Sequence, residues 1–416
     1  MEQERRKKAS VLSSYQGLPK EIYVLFFAKI INSLGRFIGP LLTLILTTKL
    51  GMSSAEAGRL ITLSLILQAP CVMIGGKFAD SIGRRKVICI FFTLSALTYL
   101  VCGVMPVNVH MAYLLILASC LNSFSGSAYD ALVTEYTNIE NRQAAFSLLY
   151  MGLNIGASIA PIIGGFLLER HMRILFYGDA VTTFMAVSLI LLFVKDRFSR
   201  QEMSDHMEKH EEEMKESVFS VLKKTPILIV FALITSIYSF VYQQFGFGIP
   251  LGMDEVFGSR GAGLFGMLSS VNGLMVIFLT PFLIHLTKKM KIKNVLAVAG
   301  ACYAGAFLAV GVSTAFAGYV IAIVLLTLGE ILCMVNMATF IANLSKKTHL
   351  ARINSVVSII REVGSCISPI VIGALLDFIT IQEAFLIIAV IAVIGAGFML
   401  LLKETKEEEV YTLIDN

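Results

Sequence analysis

Apolar runs of eighteen or more residues recur from Ile22 to Leu402, and no other feature constrains the fold as strongly. At about 1.5 Å per residue, each is long enough to cross the roughly 30 Å of bilayer hydrocarbon as a helix. Hydrocarbon offers no partner to a backbone N–H or C=O, so only helices and closed barrels cross it. Barrel strands alternate apolar and polar residues over about ten positions, whereas these runs are apolar throughout. The chain therefore reads as an all-α membrane protein. Composition agrees. Of the 416 residues 56% are hydrophobic and 15% charged, where a soluble domain has roughly 45–50% and about 25%.

Twelve transmembrane helices are expected, at 22–46, 57–79, 87–106, 110–133, 143–168, 172–194, 226–250, 261–285, 294–313, 317–341, 350–375 and 383–402. The basic start MEQERRKKAS leads into the first run without a small-residue cleavage site, so it reads as a flank and not as a cleaved signal. Arg5 to Lys8, Lys77, Arg84 to Lys86, Lys195 to Lys224, Lys288 to Lys293 and Lys346 to Arg352 all fall on one side of such a topology. The other side holds only Lys49, Arg59, Arg170, Arg173 and Arg260. The positive-inside rule then places both termini in the cytoplasm, most simply at the plasma membrane. The net charge of +5 is thus a topology signal, and no nucleic-acid partner is expected. Seven cysteines stand singly within the runs, without CxxC spacing, so neither a disulfide framework nor a metal site is expected. His206 and His210, at i and i+4 in the linker, read as a solvated face.

The two halves repeat. NIGASIAPIIGGFLLE (154–169) aligns with EVGSCISPIVIGALLD (362–377) at an offset of 208 residues, matching Gly156 with Gly364 and Pro161 with Pro369. This predicts two six-helix bundles, 1–194 and 226–416, joined by a polar cytoplasmic linker at 195–225. Such parallel repeats bind substrate near the midplane, between the halves.

Between the second and third runs stands GGKFADSIGRRK, with Gly76, Asp80, Gly83, Arg84, Arg85 and Lys86. Its glycines permit a tight turn and close helix approach. Asp80 is suited to accept hydrogen bonds from a helix start or from an arginine. The spacing resembles the loop signature of the major facilitator superfamily, a family of secondary transporters, over essentially the whole chain. The resemblance implies that this loop switches the cytoplasmic ends between states, and that the first, fourth, seventh and tenth helices line the cavity. Gly156, Pro161, Gly164 and Gly165 resemble the family's antiporter motif, with Ala160 in place of one glycine. Where the family's drug antiporters often carry an arginine, eight residues before Asp130, this chain has Asn122.

Ionisable residues inside the runs are costly, about 2.5–3.5 kcal/mol each at the bilayer centre on insertion scales, so they are expected to face protein or water. Lys29, Asn32 and Arg36 form one stripe on a continuous first helix, within roughly a 60° arc. Glu330 stands on the tenth, and Arg361 and Glu362, adjacent and so pointing apart, on the eleventh. Arg36 is expected either to pair structurally with Glu330 or Glu362, or to exchange partners with substrate while a carboxyl titrates. Candidate coupling acids are Glu330, Glu362, Glu135 and Asp130. Tyr242, Gln243 and Gln244 in YSFVYQQFGFGIP add an aromatic and amide wall suited to a broad, partly apolar ligand.

The expected function is proton-coupled export of an amphipathic organic compound by a monomer without a cofactor. Transport of a small anionic or zwitterionic metabolite is the alternative, and a non-transporting sensor or scaffold the third reading. No Walker-type phosphate loop or catalytic triad spacing points to an enzyme.

Overall fold

A computed structural model describes residues 15–138, 141–195, 226–343 and 350–402. The linker after Lys195, with His206 and His210, and both tails lie outside the described residues. Thirteen α-helices follow in order. They are α1 (Lys20–Leu34), α2 (Ile38–Leu44), α3 (Ser54–Ile82), α4 (Arg84–Val104), α5 (Val109–Glu135), α6 (Arg142–Phe193) and α7 (Pro226–Gln243). Then come α8 (Gly248–Phe257), α9 (Gly261–Thr287), α10 (Ile292–Val312), α11 (Phe316–Asn343), α12 (Leu350–Leu375) and α13 (Ile381–Leu401). Among the described residues, ten stretches are long and apolar enough to cross a membrane. Two of them, Arg142–Phe193 and Ile227–Thr287, run to 52 and 61 residues. Non-helical His171 (φ −138°, ψ 45°) interrupts α6.

Helix starts follow local chemistry. Thr380 and Glu383 form a capping box at α13, each side chain accepting the other's backbone N–H. Ser53 and Glu56 do the same at α3, at 3.2 and 2.9 Å. Prolines set the breaks. A proline ring collides with the carbonyl four residues back. Pro40 lies four residues after Arg36, and the chain leaves the helix at Gly35–Phe37. Pro250 lies four after Gly246, and α7 ends in the turn 244–247. The first helix of each half is broken in the same way. This corrects the continuous first helix on which the stripe of Lys29, Asn32 and Arg36 was drawn.

The residues form two compact units. In the first, α1 packs along α6, while α4 packs against α5 and α6. In the second, α7 packs along α12, while α10 packs against α11 and α13. The pairing repeats, as duplication requires. Its closest approaches repeat too. A Cβ on Gly156 would strike Ser33 and the backbone of Leu34, and one on Gly364 would strike the backbone of Ser236. Thr43–Leu63 belongs with the second unit. There Thr43 Oγ1 donates to the Gly246 carbonyl at 2.7 Å, and Thr62 Oγ1 to that of Cys366 at 2.8 Å.

Candidate functional site

Polar side chains gather at one place in each unit. In the first unit the broken segment after α1 lies on α6. Gly35 leaves no room for a Cβ against Thr182, and a Cβ on Gly178 would come within 2.9 Å of the Phe37 ring. Arg36, between Gly35 and Phe37, and Asp179, between Gly178 and Thr182, thus belong to the two segments that meet here. Asp179 is buried, at 5% exposure, and the charge acting on it is the Arg36 guanidinium. Asn32 Nδ2 donates to Thr183 Oγ1 at 3.1 Å, and Thr183 hydrogen-bonds Asp179. From α4, buried Tyr99 lies in the field of the same pair, with the Asn122 amide of α5 beside it. Asn122 Nδ2 donates to Ser95 Oγ at 2.7 Å. The amide standing where an arginine was expected thus joins α5 to α4. Lys29 lies over the Tyr129 ring, with Nζ 4.6 Å from its centroid, within the field of exposed Asp130.

In the second unit Glu330 on α11 accepts from Asn272 Nδ2 at 2.8 Å, and the same amide donates to Thr327 Oγ1 at 2.9 Å. Tyr242 completes the set with a side-chain hydrogen bond to Glu330. Its ring lies 6.2 Å from Phe245 and 6.2 Å from Tyr303. Neutral donors hold this carboxyl. Gln243 is half-buried, whereas Gln244 is wholly buried. Gln244 Nε2 donates to Ser368 Oγ at 2.6 Å, and Ser368 to the Phe240 carbonyl at 2.6 Å, so the amide ties α7 to α12. Arg361 and Glu362, expected to point apart, pair with each other at 2.7 Å. The long arginine side chain covers the angular gap between neighbours on one helix.

The charged turn is built differently from its sequence reading. Gly83 takes φ 101°, a conformation open to glycine and strained for other residues. Close helix approach belongs to Gly75, whose Cβ would strike the Phe124 backbone, while Gly76 stands in ordinary contact with Ser127. Arg84 pairs with Glu135 at 2.6 Å, and Arg85 donates to the Leu191 carbonyl. Glu135 is therefore engaged by the loop's own arginine. Asp80 is half-buried and, among the described residues, makes no hydrogen bond or ion pair. Pro161, Gly164 and Gly165 are buried within α6, where Gly164 meets Leu41 and Phe37.

The sequence reading passed over Asp179, although it is a carboxyl inside the apolar run 172–194 and obeys the rule that singles out Glu330. It also passed over Asn272, whose partners are remote in sequence.

The sequence profile described as Major Facilitator Superfamily matches residues 25–369 and 305–413. The chain belongs to this superfamily. The protein is a major facilitator transporter and a multi-pass membrane protein, and its relatives are transporters, not enzymes. It is 23% identical over 373 residues to "Multidrug resistance protein 2" of Bacillus subtilis (strain 168), covering 86% of this chain and 88% of that one. It is 20% identical over 340 residues to the "Na(+), Li(+), K(+)/H(+) antiporter" of Planococcus maritimus, covering 76% and 80%. A crystal structure of the peptide transporter POT superposes with a TM-score of 0.75 at 16% identity, covering 95% of this chain and 96% of that one. That likeness is one of major facilitator fold.

Proposed function

We propose that this major facilitator couples proton entry to export of an amphipathic organic compound, by alternating access. Twelve crossings in two six-helix bundles, with cytoplasmic termini, suit the ten apolar stretches. The two stretches of 52 and 61 residues have length for two crossings each, since one crossing needs about 20 residues. The proposed working unit is a monomer in the plasma membrane, with bundles 1–194 and 226–416 around the linker 195–225. Similarity to a multidrug resistance protein supports the cargo class.

Glu330 carries the reading on coupling. Asn272, Tyr242 and Thr327 surround it with hydrogen-bonding groups that have no charge to neutralise. A carboxyl so placed can hold a proton or release it without breaking an ion pair. Half-buried Tyr242 and Phe245 beside it offer aromatic faces to an apolar ligand, with buried Tyr303 packed behind Tyr242.

The test uses purified protein in proteoliposomes with an imposed pH gradient and ethidium as probe. Wild type is expected to accumulate the dye. Glu330→Gln, a permanent mimic of the protonated acid, is expected to keep downhill movement and thermal stability but lose accumulation. A stable Glu330→Gln protein that still accumulates dye overturns the assignment.

Lys29 and Arg36, two cations of the first stretch, favour a second reading, transport of an anionic or zwitterionic metabolite. Competition by benzoate that vanishes in Arg36→Gln would select it.

A further inference from the structure

We propose that Asp179 is a second proton-binding group, lodged in the first unit, and that its proton controls the side chain of Arg36. The inference rests on the proton-coupled reading and adds to it a site that Glu330 does not touch.

Geometry carries it. The helix break at 35–37 is seated on one turn of α6. Gly35 abuts Thr182 and Phe37 abuts Gly178, so Arg36 and Asp179 stand on the two backbone segments that meet here, and the Arg36 charge acts on Asp179. Asn32 and Thr183 close it from the α1 side. Asp179 is buried while Arg36, on the non-helical segment, is exposed. An arginine outside regular helix is free to swing on its own torsions. A carboxylate inside the unit is fixed by packing. One group of the pair reaches solvent and the other is enclosed, which is what a switch requires.

The titratable and charged surroundings are few. The segment around α1 contributes Arg36, with Lys29 behind it in the field of Asp130 on α5. From α4 come Tyr99 and, next to it, Cys102. On α6 itself the neighbour is Thr183. Arg36 is thus the cation set against the Asp179 charge. When a proton binds, a carboxylate oxygen takes it to form the neutral acid, and the attraction to the guanidinium is lost. Arg36 is then released toward solvent or an anionic group of the cargo. When the proton leaves, the pair forms again. Tyr99 on α4 lies in the field of this pair, and beside it Asn122 on α5 donates to Ser95 on α4, so the change of charge is felt where α4 and α5 meet.

The test needs no substrate. Infrared difference spectra of wild-type protein in proteoliposomes, taken between acid and alkaline pH, are compared in the protonated-carboxyl region with those of Asp179→Asn, Glu330→Gln and Arg36→Gln. Asp179→Asn is expected to remove one titrating band that Glu330→Gln retains. Arg36→Gln is expected to move the midpoint of that band by about one pH unit or more, the scale of a nearby opposite charge. If Asp179→Asn does not fold, Thr183→Val keeps the carboxyl and changes its partner, and it is expected to move the same midpoint. Spectra in which no band depends on Asp179, or a band whose midpoint ignores Arg36, overturn the proposal. Loss of dye accumulation in Glu330→Gln with the Asp179 band intact separates the fate of this site from that of the coupling reading.

Discussion

Arg84 Nη1 lies 2.6 Å from Glu135 Oε2, and this pair bolts the start of α4 to the end of α5. Both side chains are mostly sheltered, at 29% and 14% exposure, and the second carboxylate oxygen of Glu135 is buried without a partner. Gly83, immediately before Arg84, sets the turn that aims the guanidinium. Glu135, one of the candidate coupling acids, is therefore part of the joint between two helices.

Glu135→Gln should lower thermal stability by about 1 kcal/mol, toward the lower end for a charge-assisted hydrogen bond because the arginine keeps some solvent. The exchange Arg84→Glu with Glu135→Arg should recover part of that loss. Thermal unfolding in detergent measures both. A pair that contributes nothing would leave the single variant at the wild-type midpoint.

Asp80 stands near the C-terminal end of α3, where the helix dipole disfavours a negative charge. With no partner to lose among the described residues, Asp80→Asn should keep or slightly raise stability. If the loop switches states through this charge, the variant should transport more slowly even so. Normal turnover in Asp80→Asn would remove it from the switch.

Gly156→Ala inserts a methyl group against Ser33 and the Leu34 backbone, just before the break that carries Arg36. Overpacking of this kind costs about 1–3 kcal/mol. Gly126→Ala is the control, since a Cβ there meets nothing within 4 Å. Gel-filtration profiles and melting temperatures should separate the two, with Gly126→Ala at or above wild type.

Ser368→Ala leaves the buried Gln244 amide without its acceptor, at a cost of about 1–3 kcal/mol. Because Gln244 is wholly buried, the apparent KM for dye should stay unchanged while the melting temperature falls. A changed KM at unchanged stability would mean that Gln244 meets the cargo.

The membrane class, the helical runs and the duplication were legible in sequence because each depends on a local quantity. Apolar length against bilayer thickness decides a crossing, and a repeated Gly and Pro pattern such as 154–169 with 362–377 survives as spacing. The turn at Gly83 was legible for the same reason. Partner choice was not. Asn32 on Thr183, Glu330 beneath Asn272, Glu135 against Arg84 and Gln244 on Ser368 all join residues remote in sequence. Helical periodicity gives the face on which a side chain leaves its own helix, but which helix waits opposite is fixed by packing. Even the stripe of Lys29, Asn32 and Arg36 failed as drawn, since Pro40 breaks the helix on which its angles were counted. The sequence by itself determined which groups enter the membrane and at what cost. Only the tertiary structure decided which of those charges are neutralised, by whom, and which carboxyl, Glu330, is left among neutral partners.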